Sequence, residues 1–163
     1  MRFAGAAEFM EFWGYLKNET PRGVAVVVAA YFDDYLKTHL PASTTKRKED
    51  FSVSIDRALK VGLISTIEHH DLHIIRQLRN SFAHNMRVSR FDIDRKNQVE
   101  SLTIWKRVAD RDFYRNKLRS PRSRLQYVAA ALAARVIKRK GQKVSRTDDP
   151  KIWTDAYPSL SSR

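Results

Sequence analysis

Residues 65–85, STIEHHDLHIIRQLRNSFAHN, carry the strongest helical signal in the sequence. Ser65, followed three residues later by Glu68, is the capping-box pattern that opens a helix. Apolar residues then recur every three or four positions, which predicts a core face. That face consists of Leu72, Ile75, Leu78, Phe82 and Met86. We predict a helix from Thr66 to His84, with Asn85 able to take the left-handed conformation that often ends helices.

A central helix is predicted upstream, in the segment ETPRGVAVVVAAYFDDYLKTHLP. Thr20 is a suitable N-cap, Pro21 fits the first helical position, and Pro41 stops the helix. The stretch 24–32 is apolar on every face, which favours a buried helix. Its valines would also suit a strand, but the length of the segment and the Thr-Pro start favour the helix.

Two further amphipathic helices precede residue 65. Within residues 4–18 the apolar stripe consists of Phe9, Phe12, Trp13 and Leu16. Within FSVSIDRALKVGLI it consists of Phe51, Ile55, Ala58 and Leu59, and Gly62 suits the left-handed residue that ends a helix.

The downstream half is less regular until its last helix. Ile93, Val99, Leu102 and Trp105 suggest a helix, although the segment before it could pair as a short strand. Ser120 and Pro121 then open an Ala-rich helix, which Gly141 closes after a basic last turn. We predict an all-α fold: a single-domain bundle of about five or six helices over 1–141, with a basic C-terminal helix, and an irregular basic tail over 142–163.

Composition narrows the class of protein. The chain has 163 residues, of which 42% are apolar, enough for one domain with its own core. It contains no cysteine, which excludes disulfides, thiolate zinc sites and thiol catalysis. Glu8 and Glu11 lie where a signal peptide would be apolar, and 24–32 is too short to cross a bilayer. We expect a cytoplasmic protein with no membrane partner, no cofactor and no metal.

The positive charge is concentrated in one segment. Residues 1–100 carry 15 basic and 13 acidic side chains, whereas residues 101–146 carry 14 and 2, a difference of +12 out of the total of +13. Such a block attracts a polyanion, most often nucleic acid, through counterion release. The alternative is a well-solvated surface without a partner.

Arg79, Asn80 and His84 admit a catalytic hypothesis. His84, near a helix C-terminus, could transfer a proton to or from a ribose hydroxyl or a leaving oxygen, and Arg79 could stabilise charge on phosphorus. In a regular helix these two side chains point about 140° apart, because each residue advances by about 100°. The site would therefore need a helix end, a bend or a second subunit.

The alternative hypothesis is structural. Arg79 would then form a buried ion pair, for which Asp33 and Asp34 are candidate partners, while Asn80 bonds to a neighbouring turn and His84 satisfies the last carbonyls. A third hypothesis, metal binding by His69, His70 and His73, has less support. Adjacent histidines point apart, only His69 and His73 share a face, and no acidic third ligand has obvious spacing.

Three segments together resemble the mannitol operon repressor family: ETPRGVAVVVAAYFDDYL, FSVSIDRALKVGLI and DLHIIRQLRNSFAH. The resemblance covers roughly residues 9–140. It differs at Pro21, where the family would be expected to have an acidic residue. It implies an all-helical fold and a repressor-type transcriptional regulator of carbohydrate uptake, although the sequence contains no helix-turn-helix signature.

RNSFAH is also similar to the Arg-polar-x3-His motif of the HEPN superfamily, helical proteins that include ribonuclease toxins and defence nucleases. Carried over, the motif would make Arg79 and His84 catalytic in a metal-independent endoribonuclease, with Asn80 as the polar companion. In that superfamily the site usually forms across a dimer. The two resemblances therefore imply different classes of protein, a regulator that is not an enzyme and an endoribonuclease.

Both a regulator and a ribonuclease would use the basic segment to bind DNA or RNA. An acidic protein is a further candidate partner. We expect a homodimer. The candidate phosphate contacts are Arg115, Lys117, Arg119, Arg122, Arg124, Lys138, Arg139 and Lys140.

Overall fold

The computed structural model of the chain describes residues 3–42, 49–85, 87, 90–107, 112–139 and 141–144. These residues form eight α-helices and no strand. In chain order the helices are α1 (Phe3–Leu16), α2 (Pro21–His39), α3 (Phe51–Lys60), α4 (Thr66–His84), α5 (Ile93–Ser101), α6 (Thr103–Lys106), α7 (Asp112–Lys117) and α8 (Pro121–Arg139). The predicted all-α bundle is confirmed, with more helices than the five or six expected.

Helix α4 begins and ends at the predicted residues. The Ser65 hydroxyl accepts a hydrogen bond from the Glu68 backbone N–H at 3.3 Å, and the Glu68 carboxylate accepts one from the Ser65 N–H at 2.8 Å. The capping box is therefore complete. Asn85 has a φ of −125°, so the chain leaves α4 without the left-handed residue that the sequence suggested.

Helix α2 packs against α1, α3, α4 and α8 and is the central element of the bundle. The Thr20 hydroxyl caps it by accepting from the Gly23 N–H at 3.0 Å. Val24, Val28 and Phe32 are fully buried, but Val26 keeps 45% of its surface exposed. The predicted buried, central helix is therefore confirmed for most of its surface, but no described helix covers the side that carries Val26.

The predicted core faces of α1, α3 and α4 are confirmed, with Phe9, Trp13 and Leu59 half-buried against the core. Phe12 and Leu16 of α1 and Phe51, Ile55 and Ala58 of α3 are buried, as are Leu72, Ile75, Leu78 and Phe82 of α4. Gly62 ends the turn after α3 with a φ of +77°, a conformation that suits glycine. Met86 lies outside the described residues.

The ambiguous segment after residue 90 forms short helices, so the strand alternative is wrong for its described residues. Val99 and Leu102 are fully buried, whereas Ile93 is 75% exposed. Ile93 opens α5 six residues before Val99 and therefore lies on another side of that helix.

Helix α8 closes the bundle against α1, α2, α5 and α6. Ser120 caps it by accepting from the Ser123 N–H at 3.0 Å, and Gly141 follows it with a φ of +79°. The Val144 N–H then donates to the Gly62 carbonyl at 2.8 Å. The rest of the predicted tail, 145–163, lies outside the described residues. Within the described part of the chain, no helix combines the length and apolar character that a membrane crossing requires.

Candidate functional site at the carboxyl end of α4

Arg79 lies on the surface of α4 and not in a buried ion pair. Its guanidinium is exposed, and Nη1 donates a hydrogen bond to Asn80 Oδ1 at 2.8 Å. In the described part of the chain no salt bridge to Arg79 is present. The hypothesis of a buried brace at Arg79 is therefore wrong, and its charge faces solvent.

A groove between α2 and α4 borders this guanidinium. It has a volume of about 340 Å³, and its lining includes the exposed Val26, the two expected carboxylates Asp33 and Asp34, and Arg79. Asp33 forms its ion pair with Lys37 at 2.5 Å. The carboxylates thus lie near Arg79 as expected, but the ion pair of Asp33 is with Lys37 of the same helix, α2.

His84 is exposed in the last turn of α4. No hydrogen bond among the described residues joins it to Arg79 or to the last carbonyls of the helix. Because α4 stays helical through His84, the two side chains keep the angular separation of a regular helix. One chain by itself does not bring them together.

The remaining motif residues hold the fold. Phe82 is fully buried, and its ring contacts Phe91 edge-on at 5.7 Å between centroids and the Arg95 guanidinium at 4.6 Å. Arg95 also donates to the Ser81 carbonyl at 2.6 Å. Ser81 and Phe82 thus fasten α5 to α4, while Arg79, Asn80 and His84 remain outside the core.

Three of the predicted phosphate contacts have internal partners. Arg122 donates to the Lys17 carbonyl at 3.0 Å, after the end of α1. Arg124 donates to the Leu118 carbonyl at 2.8 Å, pairs with Glu100, and lies 4.4 Å from the centre of a Trp105 ring. Arg139 pairs with Glu68.

Four others are exposed: Arg115, Lys117, Arg119 and Lys138. Arg115 is 3.7 Å from Asp112, and Arg119 donates to Asn116 at 2.6 Å. Both of these partners are local and exposed, so the guanidinium groups stay accessible. Lys140 lies outside the described residues.

A buried ion-pair network at the amino end of α4 was not predicted. Glu68 is fully buried, and its carboxylate receives hydrogen bonds from both terminal nitrogens of Arg139, at 2.7 and 3.0 Å. Arg135 Nε lies 3.3 Å from the same carboxylate. One feature of the sequence could have predicted this network. Arg135 places a charge in the middle of the apolar face of α8, and a buried charge requires a counterion.

Asp71, one turn further along α4, is also fully buried. Its carboxylate accepts from the backbone N–H groups of Thr103 at 2.8 Å and Ile104 at 2.9 Å, at the start of α6. It also contacts His70 Nδ1 at 2.9 Å. Asp71 is far from α6 in the sequence, yet its carboxylate supplies the hydrogen-bond acceptor that α6 needs at its amino end.

Comparison of the chain with protein-family models, with curated proteins and with solved structures finds no match in any of the three.

Proposed function

We propose that this protein is a nucleic-acid-binding regulator of the repressor type. The observation that supports this function best is the set of cations that stay exposed on α7, at Arg119 between α7 and α8, and at Lys138 near the end of α8. Within the described part of the chain, the partners of Arg115 and Arg119 are local and exposed, so a phosphate can approach these two arginines without breaking the core. Arg122, Arg124 and Arg139, which have internal partners, contribute less to binding.

The test is binding to labelled duplex DNA and single-stranded RNA over a series of salt concentrations. The variant replaces Arg115, Lys117 and Arg119 with alanine, and the control replaces the exposed Lys17, Lys60 and Lys96, which removes the same charge elsewhere. Each lost phosphate contact should reduce the slope of log K against log salt by roughly 0.7 to 0.9. Equal slopes for the two triple variants would contradict the proposed surface.

A second candidate function, metal-independent RNA cleavage, is favoured by one observation at α4. Arg79 is exposed and held by Asn80, so its guanidinium is accessible to a phosphate. His84 is exposed on the same helix but points elsewhere. A cleavage site would therefore combine Arg79 of one chain with His84 of a second copy.

The test is cleavage of labelled single-stranded RNA in EDTA by wild type, Arg79→Ala and His84→Ala, with Arg90→Ala as the control for an exposed arginine. If the composite site forms, both active-site variants lose cleavage, and mixing them restores part of it because one intact pair then forms. Binding without cleavage by the wild type would leave the regulator function alone.

A further inference from the structure

A second polar cluster lies near the amino end of α4, away from Arg79 and His84. It consists of His69 and His73 on α4 and Asp56 on α3. His69 Nε2 is 2.8 Å and His73 Nε2 is 2.9 Å from the same carboxylate oxygen, Asp56 Oδ1, and the two nitrogens are 3.2 Å apart. Three ligand atoms of two residue types therefore converge on one point.

Hydrogen bonding alone accounts poorly for this triangle. Each imidazole must present Nε2–H to bond with the carboxylate, so two N–H groups point side by side at one oxygen. The 3.2 Å between the two nitrogens is then a contact between two donors. A single cation replaces both protons and uses all three lone pairs at once.

The size of the triangle fits a small divalent ion. Ligands of a tetrahedral zinc ion with bonds of about 2.0 to 2.1 Å lie about 3.3 Å apart, and those of an octahedral ion about 2.9 Å apart. The three edges here lie close to these spacings. Two imidazoles and one carboxylate favour zinc and its first-row neighbours over magnesium or calcium, which prefer oxygen ligands.

We propose that Asp56, His69 and His73 form a binding site for a first-row divalent ion, with Zn²⁺ as the preferred occupant. The ion would link α3 to α4 at the surface. The Asp56 side chain is 63% exposed and the two histidines are 26% and 22% exposed, so water completes the coordination. Three protein ligands with an open position is the arrangement of zinc sites that exchange or activate a ligand.

The helices hold these ligands in place before any ion arrives. The His69 N–H donates to the Ser65 carbonyl at 2.9 Å within the capped first turn, and His73 follows one turn later on the same side. On the other helix, the turn after α3 is fixed by hydrogen bonds to the Ala58 carbonyl and by Gly62. Ligands on two capped helices lose little freedom on binding.

Each of the three residues offers one ligand atom to the cluster. Asp56 offers a carboxylate oxygen, which adds a negative charge that attracts a divalent ion. His70 does not belong to the cluster, since its Nδ1 faces Asp71 and the Thr103 hydroxyl.

The sequence suggested His69 and His73 as a pair but supplied no third ligand. Asp56 lies 13 residues before His69, on a different helix, so no spacing rule connects them. The turn between α3 and α4 brings them together.

The test is titration of ZnCl₂ and MgCl₂ into tag-free protein that has been stripped with EDTA and dialysed, followed by calorimetry. Co²⁺ absorbance serves as a second readout, because its visible bands change in position and intensity when protein ligands replace water. His73→Ala and Asp56→Ala each remove one ligand, and His70→Ala is the matched control. Circular dichroism confirms that every variant is folded.

We expect one Zn²⁺ per chain in wild type and in His70→Ala, with affinity at least about tenfold lower in the two ligand variants. Zn²⁺ should raise the thermal midpoint of wild type and leave that of Asp56→Ala nearly unchanged, while Mg²⁺ has no effect. Equal Zn²⁺ affinity in wild type and His73→Ala would overturn the proposal. So would the absence of binding below about 1 mM Zn²⁺. Neither outcome depends on the cleavage assay, which runs in EDTA.

Discussion

The charged residues at the two ends of α4 differ in burial and in their partners. At the amino end, Glu68 and Asp71 are fully buried, and each is satisfied by groups far along the chain. At the carboxyl end, Arg79 and His84 are exposed, and among the described residues Arg79 forms a hydrogen bond with its neighbour Asn80. Charges at the first end hold the fold together. Those at the second end contribute little to it and are accessible to a ligand.

Glu68 should be the charged residue of α4 with the largest effect on stability. Glu68→Ala should lower the free energy of unfolding by about 3–5 kcal/mol, because Arg139 and Arg135 would keep buried charge without their counterion. Urea denaturation followed by circular dichroism measures this loss. Glu11→Ala, which removes an exposed carboxylate of α1, is the control. Similar unfolding free energies for the two variants would show that the buried pair is dispensable.

Asp71 should have the next largest effect. Asp71→Ala leaves the Thr103 and Ile104 N–H groups without their acceptor, which should cost about 2–3 kcal/mol. The same denaturation experiment applies, with the exposed Asp94→Ala as control. Amide hydrogen exchange adds a local readout, since protection should fall first in α6. Unchanged exchange there would mean that the carboxylate is not the cap.

Replacing the cap of α4 should have a smaller effect. Ser65→Ala removes the hydroxyl that accepts from the Glu68 N–H, for an expected loss of about 1 kcal/mol. Ser101→Ala, an exposed serine outside the caps, should change stability little. A loss for Ser65→Ala no larger than that of the control would indicate that Glu68 and Arg139 alone fix the start of α4.

Substitutions at the carboxyl end of α4 should change the free energy of unfolding little. Arg79→Ala and His84→Ala should each change the unfolding free energy by no more than about 0.5 kcal/mol, because neither side chain contributes to the core. Thermal and urea unfolding of these variants beside wild type measure the effect. A loss of unfolding free energy above about 1 kcal/mol would show that the substituted side chain stabilises the fold. The two ends of α4 would then not differ in this respect.

Features determined by neighbouring residues could be predicted from the sequence. The bounds of α4, its capping box, the Thr20 cap of α2 and the left-handed Gly62 follow from local signals. The core faces of α1, α3 and α4 could also be predicted, because the helical periodicity of apolar residues is a local pattern. Where local signals were weak, in α5 to α7, the sequence could not separate short helices from a strand.

Contacts between distant residues could not be predicted. Glu68 meets Arg139 across 71 positions and Asp71 meets Thr103 across 32, and no periodicity links either pair. The candidate site shows the same limit. The sequence identified Arg79, Asn80 and His84, but only the fold shows that Arg79 and His84 are exposed. Only the fold shows, too, that Arg122, Arg124 and Arg139 have internal partners.

The Glu68–Arg139 pair also sets an order of events during synthesis. Glu68 leaves the ribosome well before α8, which carries both of the arginines that neutralise it. Until α8 docks, burial of Glu68 would leave an uncompensated charge, so the amino end of α4 should remain hydrated in the growing chain. Long-range contacts of this kind form late and slowly. The last described helix therefore supplies the counterions of a carboxylate on the fourth, and the bundle closes only after α8 has been made.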